Sequence, residues 1–235
     1  GDALREAARE RPDANALICG SPDPAARRQW THAQLLAEAE RAGQALLTRF
    51  RPGERVAVWA PNIPEWVILE YACGLAGVIL VTLNPAYQAD ELAYALQQSR
   101  AAGLFLVRDV RGNPLLDHAG RVRDDCPELR ELLLFDEWEQ FLESAGEHPW
   151  PALTPDMPCM IQYTSGTTGR PKGALLHHRG LVNNGAHTYA ELDISAGRAV
   201  MGIMPLFHTG GCVLAVLGAL AIRSPLVLVE LFEPG

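Results

Sequence analysis

The sequence has no basic excess, no cysteine pairs and no long apolar run, and each absence excludes something. Lys+Arg is 20 against Asp+Glu 28, a formal net charge of −8. Duplex nucleic acid demands a basic surface, so nucleic acid is not an expected partner. The balance does not oppose a small anionic ligand held by a few local donors. The five cysteines, Cys19, Cys73, Cys126, Cys159 and Cys212, are odd in number and form no C-x-x-C pair. Neither a disulfide framework nor a cysteine zinc site is supported. They are expected to be small buried hydrophobes, and the pattern suits a reducing cytoplasm. The most apolar stretches, residues 71–83 and 210–222, fall short of the ~18 residues of a spanning helix, so no membrane span is expected. Gly1 to Arg11 is charged and helical in pattern, unlike a secretory leader.

What is present is an ordinary globular composition. Apolar residues make up 48% and charged residues 20% of 235 residues, enough for one large domain or two small ones. Short β-rich runs alternate with helix-period segments. Strands are expected at Arg55–Trp59, 78–82, 103–107 and 132–135. Helices are expected at Pro64–Ala76, 90–99 and 115–125. Near-continuous apolar strands separated by helices predict an α/β fold, with largely parallel sheets flanked by helices. Thr31 is a plausible N-cap, followed by Leu35, Ala39, Ala42 and Leu46 along one helical stripe.

Residues 144–158 carry Pro149, Pro151, Pro155 and Pro158 with little periodicity, the mark of a connection. Residues 1–145 therefore read as a first α/β lobe, 146–158 as the connection and 159–235 as the start of a second lobe. That second part is expected to hold strands at 159–163 and 174–177, a helix over 180–191, a strand at 199–203, a buried helix over 210–222 and a strand at 226–229. The last strand runs to Gly235 with no helix to cover it, and a truncated second lobe is the expectation.

The most informative segment is Tyr163-Thr-Ser-Gly-Thr-Thr-Gly-Arg-Pro-Lys-Gly173. Gly166, Gly169 and Gly173 let backbone N–H groups approach a ligand closely, and successive N–H groups form an anion-binding concavity. Thr164, Ser165, Thr167 and Thr168 add hydroxyl donors. Lys172 adds a mobile positive charge, and Pro171 stiffens the exit. The segment departs from the Walker loop, where lysine follows the second glycine directly; here Arg170 and Pro171 intervene. It also departs from the G-x-G-x-x-G dinucleotide pattern. A polyphosphate cradle is the reading, set against a ligand-free Gly/Ser/Thr hairpin.

This segment closely resembles the phosphate-binding motif of the adenylate-forming enzymes, which include acyl- and aryl-CoA synthetases, luciferases and peptide-synthetase adenylation domains. A second match is Met204-Pro-Leu-Phe-His-Thr-Gly-Gly211, which resembles the family's substrate-side motif. Weaker likeness runs through residues 53–62 and 77–87. The details around 84–88 and 207–211 look most like AMP-forming fatty acyl-CoA synthetases of medium- or long-chain type.

The resemblance implies that Thr164, Ser165, Gly166, Thr167, Thr168, Gly169, Arg170, Pro171 and Lys172 bind the β- and γ-phosphates of ATP. It implies that Thr164 helps bind magnesium, and that Lys172 and His208 serve the chemistry. It also implies that His208, Gly210, Gly211 and Cys212 lie on the substrate side. The implied reaction joins a fatty acid, ATP and coenzyme A, releasing AMP and pyrophosphate; a homodimer is compatible with it. For His208 the alternative is a core histidine. For Gly210 and Gly211 it is close helix packing. The adjacent His177 and His178 are read as ordinary strand-end and helix residues, and Trp59, Trp66 and Tyr71 as core. The family's adenine, ribose and catalytic-lysine motifs have no counterpart before Gly235, so this chain by itself is expected to turn over little. Two other readings remain: an aryl-CoA ligase or other adenylating enzyme, and a non-catalytic nucleotide-binding module.

Overall fold

The structure, a computed structural model, describes residues 1–21, 23–164, 171–194 and 197–230. Helix α1 spans Asp2–Glu10. Strands β1 (Asn15–Cys19) and β2 (Gln29–Thr31) follow; neither was expected from the sequence. Thr31 then caps α2 (His32–Arg49) as anticipated. Its Oγ1 accepts from the Gln34 amide at 3.2 Å, and the Gln34 side chain accepts from the Thr31 amide at 2.9 Å. This reciprocal pair satisfies two otherwise orphaned N–H groups. Leu35, Ala39, Ala42 and Leu46 are all buried.

Strand β3 (Arg55–Trp59) and helix α3 (Pro64–Ala76) form as the pattern predicts. Pro64 suits the first turn, where its missing N–H costs nothing. Gly77 ends the helix at φ 68°, a left-handed conformation that glycine adopts freely. Next come β4 (Ile79–Thr82), α4 (Ala89–Ser99) and β5 (Ala101–Leu106). The helix expected over 115–125 is α5 (Leu115–Val122), continued by a tighter 3-10 turn, Arg123–Asp125. Strand β6 (Glu131–Leu134) and a short α6 (Trp138–Glu143) complete this part. After the proline-rich connection come β7 (Pro158–Thr164), β8 (Lys172–His177), α7 (His178–Glu191) and β9 (Val200–Gly202). Residues 210–222 were expected to form one helix. They form a π-helix, Gly210–Leu217, that tightens into α8 (Gly218–Ala221) before β10 (Leu226–Leu228).

Among the described residues the strands build two sheets. The larger runs β6-β5-β3-β4-β7-β8 and the smaller β2-β1-β10-β9. In the larger sheet every pair is parallel except β7–β8. Its central strands β3, β4 and β5 are mostly apolar because both of their faces are covered. Val56, Val58, Leu80 and Phe105 point to the layer of α2 and α3, while Ala57, Trp59, Val81 and Leu104 point to α4 and α5. The connection at 146–158 does not separate two sheets. Strands β7 and β8 extend the first sheet, and β1 near the start of the chain pairs in parallel with β10, Leu17 opposite Leu226. From β3 the chain crosses to β4 on one side and then back over to β5 on the other. That reversal places the switch point between the carboxyl ends of β3 and β5, where α/β sheets collect ligands.

One core residue stands apart. Glu70 of α3 is 7% exposed, and neither carboxyl oxygen has a hydrogen-bond partner among the described residues. It borders a cavity of about 60 Å³ with Leu80, Cys159 and His178. Burial raises its pKa well above the ordinary carboxylate value of 4.5. The folded state therefore holds this proton to higher pH than the unfolded chain does. Its contribution is fully present below about pH 4.5 and is lost as pH climbs toward the folded value, by at most about 1.4 kcal/mol per pH unit. Glu70→Gln should flatten the fall in melting temperature between about pH 5 and 8. Identical slopes in thermal melts of the two proteins would contradict this account.

Candidate functional site

The hairpin β7–β8 presents the glycine-rich loop. Its register sets Thr164 opposite Lys172 and Tyr163 opposite Gly173. Ser165, Gly166, Thr167, Thr168, Gly169 and Arg170 lie outside the described residues. The two ends of the loop are described, and both Thr164 and Lys172 are exposed. The Thr164 hydroxyl donates to the Lys172 carbonyl at 3.5 Å, a long bond across the hairpin stem. Lys172 is the chain's only lysine; all its other Lys+Arg cations are arginines. A compact ammonium on a flexible stem therefore occurs only where the loop ends.

Helix α4 braces that stem through residues the sequence did not single out. The Tyr94 hydroxyl donates to the Pro171 carbonyl at 3.0 Å, and Gln98 donates to the Tyr94 hydroxyl at 2.8 Å. Tyr163 reaches back to the Ala95 carbonyl at 2.9 Å. Tyr94 and Gln98 are one helical turn apart, but nothing in the sequence says what their shared face meets.

The second motif follows β9 as an irregular turn. His208 is exposed, and its Nδ1 accepts from the Gly210 amide at 3.1 Å. That leaves the proton of the neutral ring on Nε2, facing outward. The turn is held from below. The Thr82 hydroxyl donates to the Phe207 carbonyl at 2.8 Å. Asn62 accepts from the Leu206 amide at 2.8 Å and donates to the Met204 and Val229 carbonyls at 3.1 and 3.2 Å.

The two motifs meet through β4 and β7. Thr82 and Gln162 are register partners on these adjacent strands. Thr82 reaches Phe207, while Gln162 donates to Cys212 Sγ at 3.0 Å. Both side chains are buried, 1% and 4% exposed, so each needs a polar partner. Thr164 lies two residues beyond Gln162 on the same strand. The phosphate hairpin and the His208 turn thus share one corner of the sheet.

The two glycines and Cys212 have different surroundings. A Cβ on Gly211 would sit 2.3 Å from the Pro205 carbonyl oxygen and 2.8 Å from Leu206 Cα. Backbone fills the space of the absent side chain, so the close-packing alternative describes Gly211. A Cβ on Gly210 would come 3.2 Å from the flexible Met204 Cε. Cys212 is fully buried and also contacts Met160 Sδ at 3.9 Å. Burial pushes its thiol well above the ordinary range. It ties the π-helix to β7 as a packing residue.

Next to Phe207 a cleft of about 530 Å³ opens at the carboxyl ends of β3 and β4, bordered by Asn62, Asn84, Arg111 and Glu230. Its loops are pinned by Trp59 Nε1, which donates to the Asn84 carbonyl at 2.8 Å, and by Asn113, which donates to the carbonyls of Pro85 and Tyr87 at 2.9 and 3.0 Å. His177 caps α7 by accepting from the Gly180 amide at 2.9 Å. Among the described residues, no three His, Cys, Asp or Glu side chains are placed to hold a metal ion. No helix there is long and apolar enough to cross a membrane.

Comparison with known proteins adds to this geometry. The family model for the AMP-binding enzyme matches residues 4–234. The chain is 31% identical to the rat (Rattus norvegicus) mitochondrial medium-chain acyl-CoA ligase ACSF2, with 96% of this chain aligned to 42% of that protein. It is 32% identical to a feruloyl-CoA synthase of Amycolatopsis, with 87% aligned to 40%. Among solved structures, the inhibitor-bound N-terminal domain of FACL13 from Mycobacterium tuberculosis superposes with a TM-score of 0.87 at 26% identity, covering 98% of this chain and 57% of that one. The chain spans less than half the length of these curated relatives.

Gly211→Ala tests the packing at this corner. Forcing a methyl group against the 205–206 backbone should cost about 1–3 kcal/mol, read as a lowered denaturation midpoint. A neutral effect would show that the turn can yield.

Proposed function

The chain belongs to the AMP-binding enzyme family, and from that premise we propose that the full-length protein is an AMP-forming acid–thiol ligase. In the first step a carboxylate oxygen attacks the α-phosphorus of ATP. The bond to the bridging oxygen breaks, and pyrophosphate leaves with the electron pair. In the second step the thiol of coenzyme A attacks the acyl carbonyl. The thiol proton is lost to solvent or base, and AMP leaves to give the thioester.

The observation that carries this reading is the shared corner of the sheet. A loop bearing the chain's only lysine leaves the end of β7, and an exposed histidine sits on a turn held by Thr82 at the end of the neighbouring β4. Negative charge shifts onto the departing phosphates in the first step, so fixed donors and a nearby cation stabilise its transition state. Lys172 supplies the cation, and the hydroxyls and amides of 164–170 supply donors. His208 Nε2–H donates to a carboxylate or α-phosphate oxygen. Magnesium, when bound, neutralises phosphate charge. Thr164 fits it as one neutral oxygen ligand, since this ion usually takes few protein ligands alongside phosphate oxygens and water.

We assign the substrate to the fatty acids, medium- or long-chain, on the likeness to medium-chain acyl-CoA ligases. The equally similar feruloyl-CoA synthase supports an aryl acid as the second reading. A cytoplasmic setting is supported by the free cysteines; the ACSF2 relatives are named mitochondrial. Because the matched relatives are more than twice as long, we assign turnover to the full-length protein and little or none to these 235 residues alone.

ATP–pyrophosphate exchange by the full-length protein, with medium-chain fatty, long-chain fatty and ferulic acids in parallel, tests the reading. Exchange should depend on a fatty acid. Lys172→Ala should lower it about 100-fold or more. Exchange only with ferulate would select the aryl reading. Unchanged adenylation in Lys172→Ala would remove the loop from the reaction and favour a non-catalytic module.

A further inference from the structure

His208 sits on the turn that leads into the π-helix, and the peptide groups on both sides of it are held. On its carboxyl side, its own carbonyl accepts from the amides of Gly211 and Cys212 at 2.9 and 3.1 Å. On its amino side, its amide donates to the Pro205 carbonyl at 3.1 Å. These bonds are local. The groups that tie the turn to the rest of the protein are Thr82 and Asn62. Thr82 holds the Phe207 carbonyl, the other half of the peptide entering His208. Asn62 uses its amide oxygen on Leu206 and its amide nitrogen on Met204 and Val229. Thr82 is 1% exposed and Asn62 8%, so both are buried. With the backbone on both sides fixed and Nδ1 engaged by Gly210, the direction of Nε2 is set.

We propose that Asn62 and Thr82 are positioning residues for His208: buried side chains, one in the bend after β3 and one at the end of β4, that fix the turn and thereby aim the imidazole. Neither touches a reactant in this assignment. Both act through backbone groups, and the consequence for turnover rests on the role given to His208 above. An imidazole aimed at an atom that gains charge in the transition state loses rate when its bearing loosens, while nucleotide binding elsewhere is spared.

The test uses the full-length protein. Thr82→Val keeps the shape and removes the donor. It should lower kcat of ATP–pyrophosphate exchange about 10-fold and leave KM for ATP within about 2-fold. Thr82→Ser restores the hydroxyl and should recover at least about half the rate. In a His208→Ala background, Thr82→Val should change kcat by less than about 2-fold, because the interaction it serves is gone. Equal losses in both backgrounds, or no rescue by serine, would overturn the proposal in favour of a general packing role.

Hydrogen exchange of the peptide covering 204–208 gives a readout independent of catalysis. Asn62→Ala should speed exchange at Leu206 at least about 10-fold, while Asn62→Asp, which keeps the acceptor, should retain protection. Unchanged exchange in Asn62→Ala would refute the clamp, and this comparison decides if Thr82→Val does not fold. Absence of ATP–pyrophosphate exchange with every acid in the unsubstituted protein would instead reject the ligase reading, leaving hydrogen exchange to decide the clamp.

Discussion

Thr82 and Gln162 are polar side chains on the inner face of two central, parallel strands, at a level where their neighbours are apolar. A buried hydroxyl or amide left unpaired costs about 1–3 kcal/mol. Partners are therefore required, and the structure supplies them from residues 207 and 212. This requirement binds a turn far along the chain to the end of the sheet. The π-helix then packs against α7, α8 and β9, with Cys212 reaching Gln162 on β7. The hairpin loop leaves β7 two residues above the same contact. The candidate site is thus the surface consequence of a satisfaction problem inside the core.

The edge of the sheet poses a different problem. A loop that meets phosphates, as proposed for this one, has to offer its amides to them, so its anchoring is best supplied elsewhere. The anchoring falls to the stem. Tyr94 holds the Pro171 carbonyl and Tyr163 holds the Ala95 carbonyl, both using hydroxyls from half-buried rings. These bonds fix the hairpin against α4 without consuming donors of the loop itself. Glu70 is a counterexample in the same fold, a carboxyl buried with no partner. It is accommodated by remaining protonated, and the fold loses stability with rising pH in return.

Much of the architecture was legible along the chain. Strand β3 and helix α3 fall on their expected residues because both are apolar on the faces they bury and α3 is bounded by Pro64 and Gly77. The capping pair at Thr31 and Gln34 is likewise local chemistry. The misses share a cause. Strands β1 and β2 are short, and β1 is completed by β10, more than two hundred residues away in sequence. The expected helix over 210–222 opens as a π-helix, with Gly211 packed against the 205–206 backbone, a contact that periodicity does not register.

The residue types of the loop, its lone lysine and the His208 motif were set by the sequence alone, and with them the polyphosphate chemistry proposed for the site. Such motifs are local strings, and their donors and charges are intrinsic to the side chains. The tertiary structure alone decided what these strings stand on. It turned Asn62, Thr82 and Gln162, unremarked as letters, into supports for the His208 turn, and it packed Gly211 against the 205–206 backbone and Cys212 against Gln162. Those roles come from burial and from partners brought near by strand register. A buried polar group acquires its meaning from what it is forced to meet.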